Sequence, residues 1–394
     1  MYVAVVMYKK LGLNNTDIAF YTSWLYLPWV IKPLWAPLVE LFKSNKWWTV
    51  TLQSLIGISF AGIAFSLPTP FWLQTSMAFL WLTAFSSATH DIAADGFYLA
   101  ALRSQEQAFF VGIRSLAYRA SMLFTQGAVV WTGGWLELKT GSIATAWLYV
   151  LCMLSLMMFT ASCYHFWKMP AIESNVSKRT LSEIGLDFFR TFYSFFHKKN
   201  VWIAVGFLLL YRLGEAQLVK MGAPFLLDSA EEGGLGLSTR QVGIVYGTTG
   251  PIGLILGGVL GGIVISRKGL RFWLWTMAAA INLPQLVYIF MAWLQITNLP
   301  LISSAIFLET FGYGFGFTAY MVFMMYLADG PFKTAHYALC TGFMALGMMI
   351  PGLFSGWLQA HMGYTVFFIW VLLSGIPGVL LIPWLNIPET FGRK

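Results

Sequence analysis

Apolar residues run through this chain in long blocks separated by short polar breaks. The blocks lie at about 17–42, 47–67, 71–102, 107–136, 144–167, 200–228, 240–266, 272–296, 300–328, 335–360 and 364–386. About 20 apolar residues carry an α-helix across a bilayer, so the pattern predicts eleven membrane-spanning helices. Residues 1–8 are apolar but too short to cross. No basic n-region with a small-residue cleavage site marks a signal peptide. The longest polar break, 168–199, places Ile184, Phe188, Phe189, Phe192, Phe195 and Phe196 at helical spacing beside Arg190 and Lys198. That pattern predicts an amphipathic helix on the membrane surface.

The same break divides the chain into halves that repeat. Gly12-Leu13-Asn14-Asn15-Thr16-Asp17-Ile18-Ala19 aligns with Gly236-Leu237-Ser238-Thr239-Arg240-Gln241-Val242-Gly243 at an offset of 224. Ala36–Glu40 aligns with Gly262–Ser266 at 226, and Ala108–Gly112 with His336–Cys340 at 228. Three matches in order at a slowly drifting offset indicate duplicated bundles. The block 200–228 then lacks most of its counterpart, and residues 1–8 read as the tail of a first helix largely missing from a truncated chain. The expected organisation is an N-terminal transmembrane bundle over 1–167, a cytoplasmic linker over 168–199 and a C-terminal six-helix bundle over 200–394.

Composition agrees. The chain is 58% hydrophobic and 10% charged, against about 25% charged residues in soluble domains. The net charge of +8 does not point to nucleic acid, because it is distributed asymmetrically. Of 24 lysines and arginines, 15 fall in alternate short loops and the C-terminus, 4 in the opposite loops and 5 inside helices. This positive-inside bias places the loops near 43–46, 103–106, 168–199, 267–271 and 333 in the cytoplasm. The loops near 9–16, 137–142, 229–239 and 361 fall outside, with Lys9 and Lys10 a local exception. Cys152, Cys163 and Cys340 lie in apolar blocks without metal-ligand spacing and read as packing residues. No metal or other cofactor is expected.

Asp91 and Asp95 sit one helical turn apart in an apolar block. An ionised carboxylate at a membrane helix centre costs roughly 2.5–3.5 kcal/mol, so two on one face imply a polar passage for ions or solutes. Two carboxylates sharing a low-dielectric face are also suited to binding a proton reversibly. The competing expectation is that they pair with arginines and only hold helices together. His90 is read as an interhelical hydrogen-bonding group or a proton carrier. His90 and Asp95 also spell an acyltransferase-like H-x-x-x-x-D, but residues five apart on a helix point about 140° away from each other. An enzyme is therefore not expected.

The next block carries two polar stripes: Arg114, Tyr118, Ser121 and Thr125, and Ser115, Arg119 and Gln126. Arginine binds carboxylates bidentately. One arginine is expected to partner Asp91 or Asp95 and the other to meet an anionic solute. Arg212 and Glu215, at i and i+3, predict an intrahelical pair. Lys220 and Glu309 are further intramembrane charges, and Lys32 either lines a cavity or snorkels. Trp24, Trp29 and Trp35 are candidates for stacking on a sugar, whereas Trp47, Trp48 and Trp273 read as interface anchors.

Gly262-x-x-x-Ser266-Arg267-Lys268-Gly269-x-Arg271 resembles the cytoplasmic loop signature of the major facilitator superfamily, with Ser266 in place of the acid. Glu40, Lys43 and Lys46 form the degenerate first-half copy. Together these would be gate loops. Tyr26–Leu38 (Tyr-Leu-Pro-Trp-Val-Ile-Lys-Pro-Leu-Trp-Ala-Pro-Leu) and Ser87–Gly96 resemble signatures of AmpG-type muropeptide permeases, which usually have Gln at the position of His90. Tyr118-Arg119, Tyr211-Arg212-Leu213-Gly214-Glu215 and Pro224-Phe225-Leu226 extend the likeness over nearly the whole chain. The acetyl-CoA transporters share the Asp91–Asp95 motif.

The resemblance implies an all-α polytopic protein of the bacterial cytoplasmic membrane, with a major facilitator fold of two six-helix bundles rocking around a midplane cavity. It implies proton-driven import of anhydro-muropeptides, which are small anionic glycopeptides. Asp91, Asp95, His90, Glu215 and Glu309 would serve proton coupling or gating. Arg114, Tyr118, Arg119, Arg212, Lys32, Trp29 and Lys220 would serve substrate binding. The expected partners are the lipid bilayer, the solute and protons.

Overall fold

The structure, a computed structural model, describes residues 1–41, 43–102, 117–118, 120–170, 181–330 and 332–393. Among them every regular element is a helix. Seven helical stretches are long and apolar enough to cross a membrane, beginning with Asn45–Ser66 and ending with Ala335–Trp384. The last holds two expected spans, because Gly363 turns the backbone out of the helix at φ 71° and ψ 166°.

Three expected blocks fall outside those seven. Trp72–Ala101 is a continuous 30-residue helix that carries both aspartates. Most of 103–119 lies outside the described residues. The block 17–42 is two helices, Asn15–Trp24 and Leu27–Leu41. The reason is local: Pro28 has no amide hydrogen and disfavours helical backbone before it, so the first helix stops and a second begins.

The chain packs as two compact units. One gathers Met1–Trp24, Ser121–Gly134 and Thr191–Lys394; the other gathers Leu25–Ala120 and Trp135–Arg190. These units cut across the sequence halves.

Within the first unit, helices approach closely where glycine removes the side chain. Gly253, Gly257 and Gly261 form a small-residue stripe on Gly250–Lys268 facing Leu299–Ala328. A methyl group on Gly257 would lie 2.1 Å from the Phe311 carbonyl oxygen. A second close approach joins Gly127 and Gly247, where an added Cβ would meet backbone at 2.1–2.5 Å. Both glycines lie in π-helical turns, Phe124–Val129 and Val245–Thr249. The break at Tyr211–Arg212, between Val201–Leu210 and Leu213–Leu227, frees backbone acceptors in an apolar setting. Tyr320 answers by donating its hydroxyl to the Leu208 carbonyl at 2.7 Å.

The expected amphipathic helix spans Leu181–Phe196. Phe195 is buried against Phe343 and His336, and His336 Nε2 lies 2.9 Å from Ser194 Oγ. Lys198, just beyond, donates to the carbonyl oxygens of Leu327 and Asp329 at 2.5 and 2.7 Å. Burial draws its pKa below the ordinary lysine value.

The repeat is visible in local geometry. Gly12 and Gly236 both adopt positive φ, 90° and 65°, before a helix start. Asn14 Oδ1 then accepts from the Asp17 amide, as Ser238 Oγ accepts from the Gln241 amide, at the same offset of 224.

In the second unit Asn45–Ser66 packs against Ile143–Lys168 through small hydroxyl residues. Ser155 donates to the Gly57 carbonyl at 2.7 Å and Ser162 to the Val50 carbonyl at 2.9 Å. Gly96 of Trp72–Ala101 lies against the Asn45 side chain, where an added Cβ would sit 3.1 Å from Oδ1.

Candidate functional site

Among the described residues, charged side chains in apolar helices concentrate in two places, one in each unit. In the second unit, Trp72–Ala101 carries Asp91 and Asp95 on one face. Asp91 Oδ2 lies 2.5 Å from Lys32 Nζ. Lys32 comes from Leu27–Leu41, whose prolines at 28, 33 and 37 remove backbone donors along the helix. The pair is open: the Asp91 side chain is 46% exposed and that of Lys32 19%. The described partner of Asp91 is thus a lysine; Arg114 and Arg119 lie outside the described residues. Asp95 is half-buried and also engaged.

His90 turns the opposite way from Asp95 on this unbroken helix. Its Nε2 is buried without a hydrogen-bond partner among the described residues. His165, within electrostatic reach, is itself fixed by Gln53, with Nδ1 to Oε1 at 2.8 Å.

In the first unit, Arg212 sits in the break that precedes Leu213–Leu227. Its Nε donates to Glu215 Oε2 at 3.0 Å, Nη2 lies 2.8 Å from the same oxygen as an ion pair, and Nη2 donates to the Tyr313 hydroxyl at 2.9 Å. The guanidinium stacks over Tyr313, Phe317 and Tyr320, with its carbon 4.8 Å from the Phe317 ring centre. Nearby, Lys220 is fully buried and donates to Thr22 Oγ1 at 2.9 Å. Glu309 is buried within electrostatic reach of Glu215, Tyr246 and Tyr288, and those two tyrosines share a hydrogen bond at 2.9 Å.

The other candidates are not gathered here. Tyr118 is 69% exposed and Trp29 is half-buried. Lys43 is exposed in left-handed backbone, and the Glu40 side chain lies outside the described residues. Arg267 and Lys268 are exposed, with Lys268 over the Phe272 ring. Ser266 donates to its own turn at the Ile263 carbonyl, while Arg271 meets Glu389 at 3.6 Å. Sequence reasoning missed Thr22, Gln53, His165 and Tyr313. Only Tyr313 had a visible signal, being one turn from Glu309 on the same helix.

This helical architecture has counterparts among solved structures. A D-xylose-proton symporter superposes with a TM-score of 0.71 and 13% identity, covering 100% of this chain and 95% of that chain. The chain shares the fold of that transporter and is a multi-pass membrane protein. No protein-family model matches it.

Curated relatives sharpen the assignment. The anhydromuropeptide permease of Escherichia coli is 27% identical over 363 residues, 90% of this chain and 70% of that protein. A protein named putative transporter AmpG 4, from Rickettsia conorii, is 24% identical over 401 residues, 97% of this chain and 92% of that protein. These relatives are named as permeases and transporters rather than enzymes, and the similarity supports a multi-pass transporter of the bacterial inner membrane.

Proposed function

We propose that the chain imports anhydro-muropeptides with protons, by alternating access between two halves over 1–167 and 200–394 linked by 168–199. The half-exposed Lys32–Asp91 pair carries this reading. Both partners lie in helices that the hydropathy pattern places in the membrane, yet protein does not seal them off. When a proton moves onto the Asp91 carboxylate, the lysine is released. Its ammonium is then free to bind a carboxylate of the solute, and muropeptides carry several. Asp95, one turn away, provides a second site for the same proton. The sugar portion would stack on an aromatic face such as Trp29. The names of the relatives support the solute class, and the D-xylose-proton symporter supports a fold compatible with proton coupling.

One proton moving down about 100 mV supplies ~2.3 kcal/mol, enough for roughly fiftyfold accumulation of a neutral solute. The test is uptake of labelled anhydro-muropeptide into energised vesicles, with and without a protonophore. Accumulation that collapses on adding the protonophore is expected. Accumulation insensitive to it removes proton coupling, and no uptake at all removes the solute.

A further inference from the structure

Three of the loops that charge asymmetry assigns to the exterior, near 9–16, 229–239 and 361, meet in one buried polar cluster of the first unit. Asn15 is its hub. The Asn15 amide oxygen accepts from Lys9 Nζ at 2.9 Å. Its Nδ2 faces Gln359 Oε1 at 2.7 Å, the Tyr364 hydroxyl at 2.9 Å and Asp228 Oδ2 at 3.1 Å. Tyr364 donates to that same carboxylate at 2.6 Å, and Lys9 forms an ion pair with Asp228 Oδ1. Asn15, Asp228, Gln359 and Tyr364 are all buried. Lys9 breaks the positive-inside pattern because a buried acid accounts for its charge.

Below the cluster, Asn15–Trp24 lies directly on Lys333–Ser374. A methyl on Gly356 would lie 2.0 Å from the Asn15 carbonyl oxygen, and one on Gly352 would lie 2.5 Å from Ser23 Oγ. Glycine makes this contact without interlocking side chains, so the two helices can part without rotamer rearrangement. The groups above it are polar throughout. Dry, their charge pair and hydrogen bonds act at low dielectric and are strong. Once wet, each group is resolvated and the exposed ion pair is worth little. An apolar seam would lack this two-state character.

We propose that Lys9, Asn15, Asp228, Gln359 and Tyr364 form the outer latch of the transport cycle, shut in this structure and opened by hydration of the Lys9–Asp228 pair. The assignment rests on the alternating-access reading, but its test needs no solute and so stands or falls separately.

Ser23 reports the state of the latch. It is fully buried, and its hydroxyl makes no hydrogen bond among the described residues, so a thiol there loses nothing. In a background carrying Cys152→Ser, Cys163→Ser and Cys340→Ala, Ser23→Cys is exposed to a membrane-impermeant maleimide from outside. Labelling should be slow with the latch intact. It should be about tenfold faster or more in Asp228→Asn and in Lys9→Gln, and stay slow in Lys9→Arg, which keeps the cation. Should Asp228→Asn not accumulate, Lys9→Gln, at a partly exposed position, carries the test. Unchanged labelling in Lys9→Gln, or labelling of Lys9→Arg as fast as that of Lys9→Gln, overturns the latch.

Discussion

Among the described residues, two ion pairs lie in helices that the hydropathy pattern places in the membrane, and they are built in opposite ways. Arg212–Glu215 is sealed, with side chains 9% and 4% exposed, a hydrogen bond and a second ion-pair contact between them, and a tyrosine hydroxyl and three aromatic faces around the guanidinium. Among the described residues Lys32–Asp91 is a single contact, and its acid is nearly half exposed. A buried charge held by its counter-ion, a hydroxyl and aromatic faces cannot change partner without stranding an ion. A charge that protein leaves half uncovered can. The first arrangement maintains a helix break; the second is available to bind and release.

Substitutions can break that contrast. The largest effect is expected from Arg212→Met, which leaves Glu215 buried without its cation. Losing one partner of a buried pair costs about 3–5 kcal/mol. The yield of monodisperse protein in detergent and its thermal midpoint should both fall; an unchanged midpoint would show that the cage is not structural. Asp91→Asn is expected to cost at most ~1 kcal/mol because solvent screens the pair. The same variant should reduce gradient-driven uptake about tenfold or more while membrane insertion stays normal. Full uptake would remove the coupling role, and a collapse as deep as that of Arg212→Met would make the pair structural. The smallest effect belongs to Arg271→Ala. Its pair with Glu389 spans 3.6 Å between side chains 60% and 81% exposed, so stability should stay within ~0.5 kcal/mol. A clear loss of uptake in this variant would return the loop to the gate.

The spans were legible because hydropathy alone decides them. Blocks such as 144–167 and 300–328 match Ile143–Lys168 and Leu299–Ala328 within a residue or so. The amphipathic linker helix was legible for the same reason. The breaks were less so. Pro28 marks one, but nothing local in Tyr211-Arg212 shows a helix ending, because Tyr320 from a distant helix makes the interruption tolerable. The π turns at 124–129 and 245–249 depend on two glycines meeting across space.

The site followed the same division. Asp91, Asp95, Arg212 and Glu215 stood out as charges in apolar surroundings. Their environments did not: that a lysine meets Asp91, or that aromatic rings enclose Arg212, depends on tertiary packing. Asn15 and Gln359 carry no charge and drew no notice.

The separations within the Asn15 cluster have a consequence for biogenesis. Asn15 bonds to residues 213, 344 and 349 positions further along the chain. A ribosome adds about 5–20 residues per second, so the N-terminal segment leaves the exit tunnel tens of seconds before its partners exist. Throughout that interval Lys9 and Asn15 have only each other of their native partners, and lipid headgroups, water or an insertase must shelter the remaining polar groups. Premature termination upstream of Gln359 would strand these groups for good, giving quality control a polar mark of incomplete synthesis.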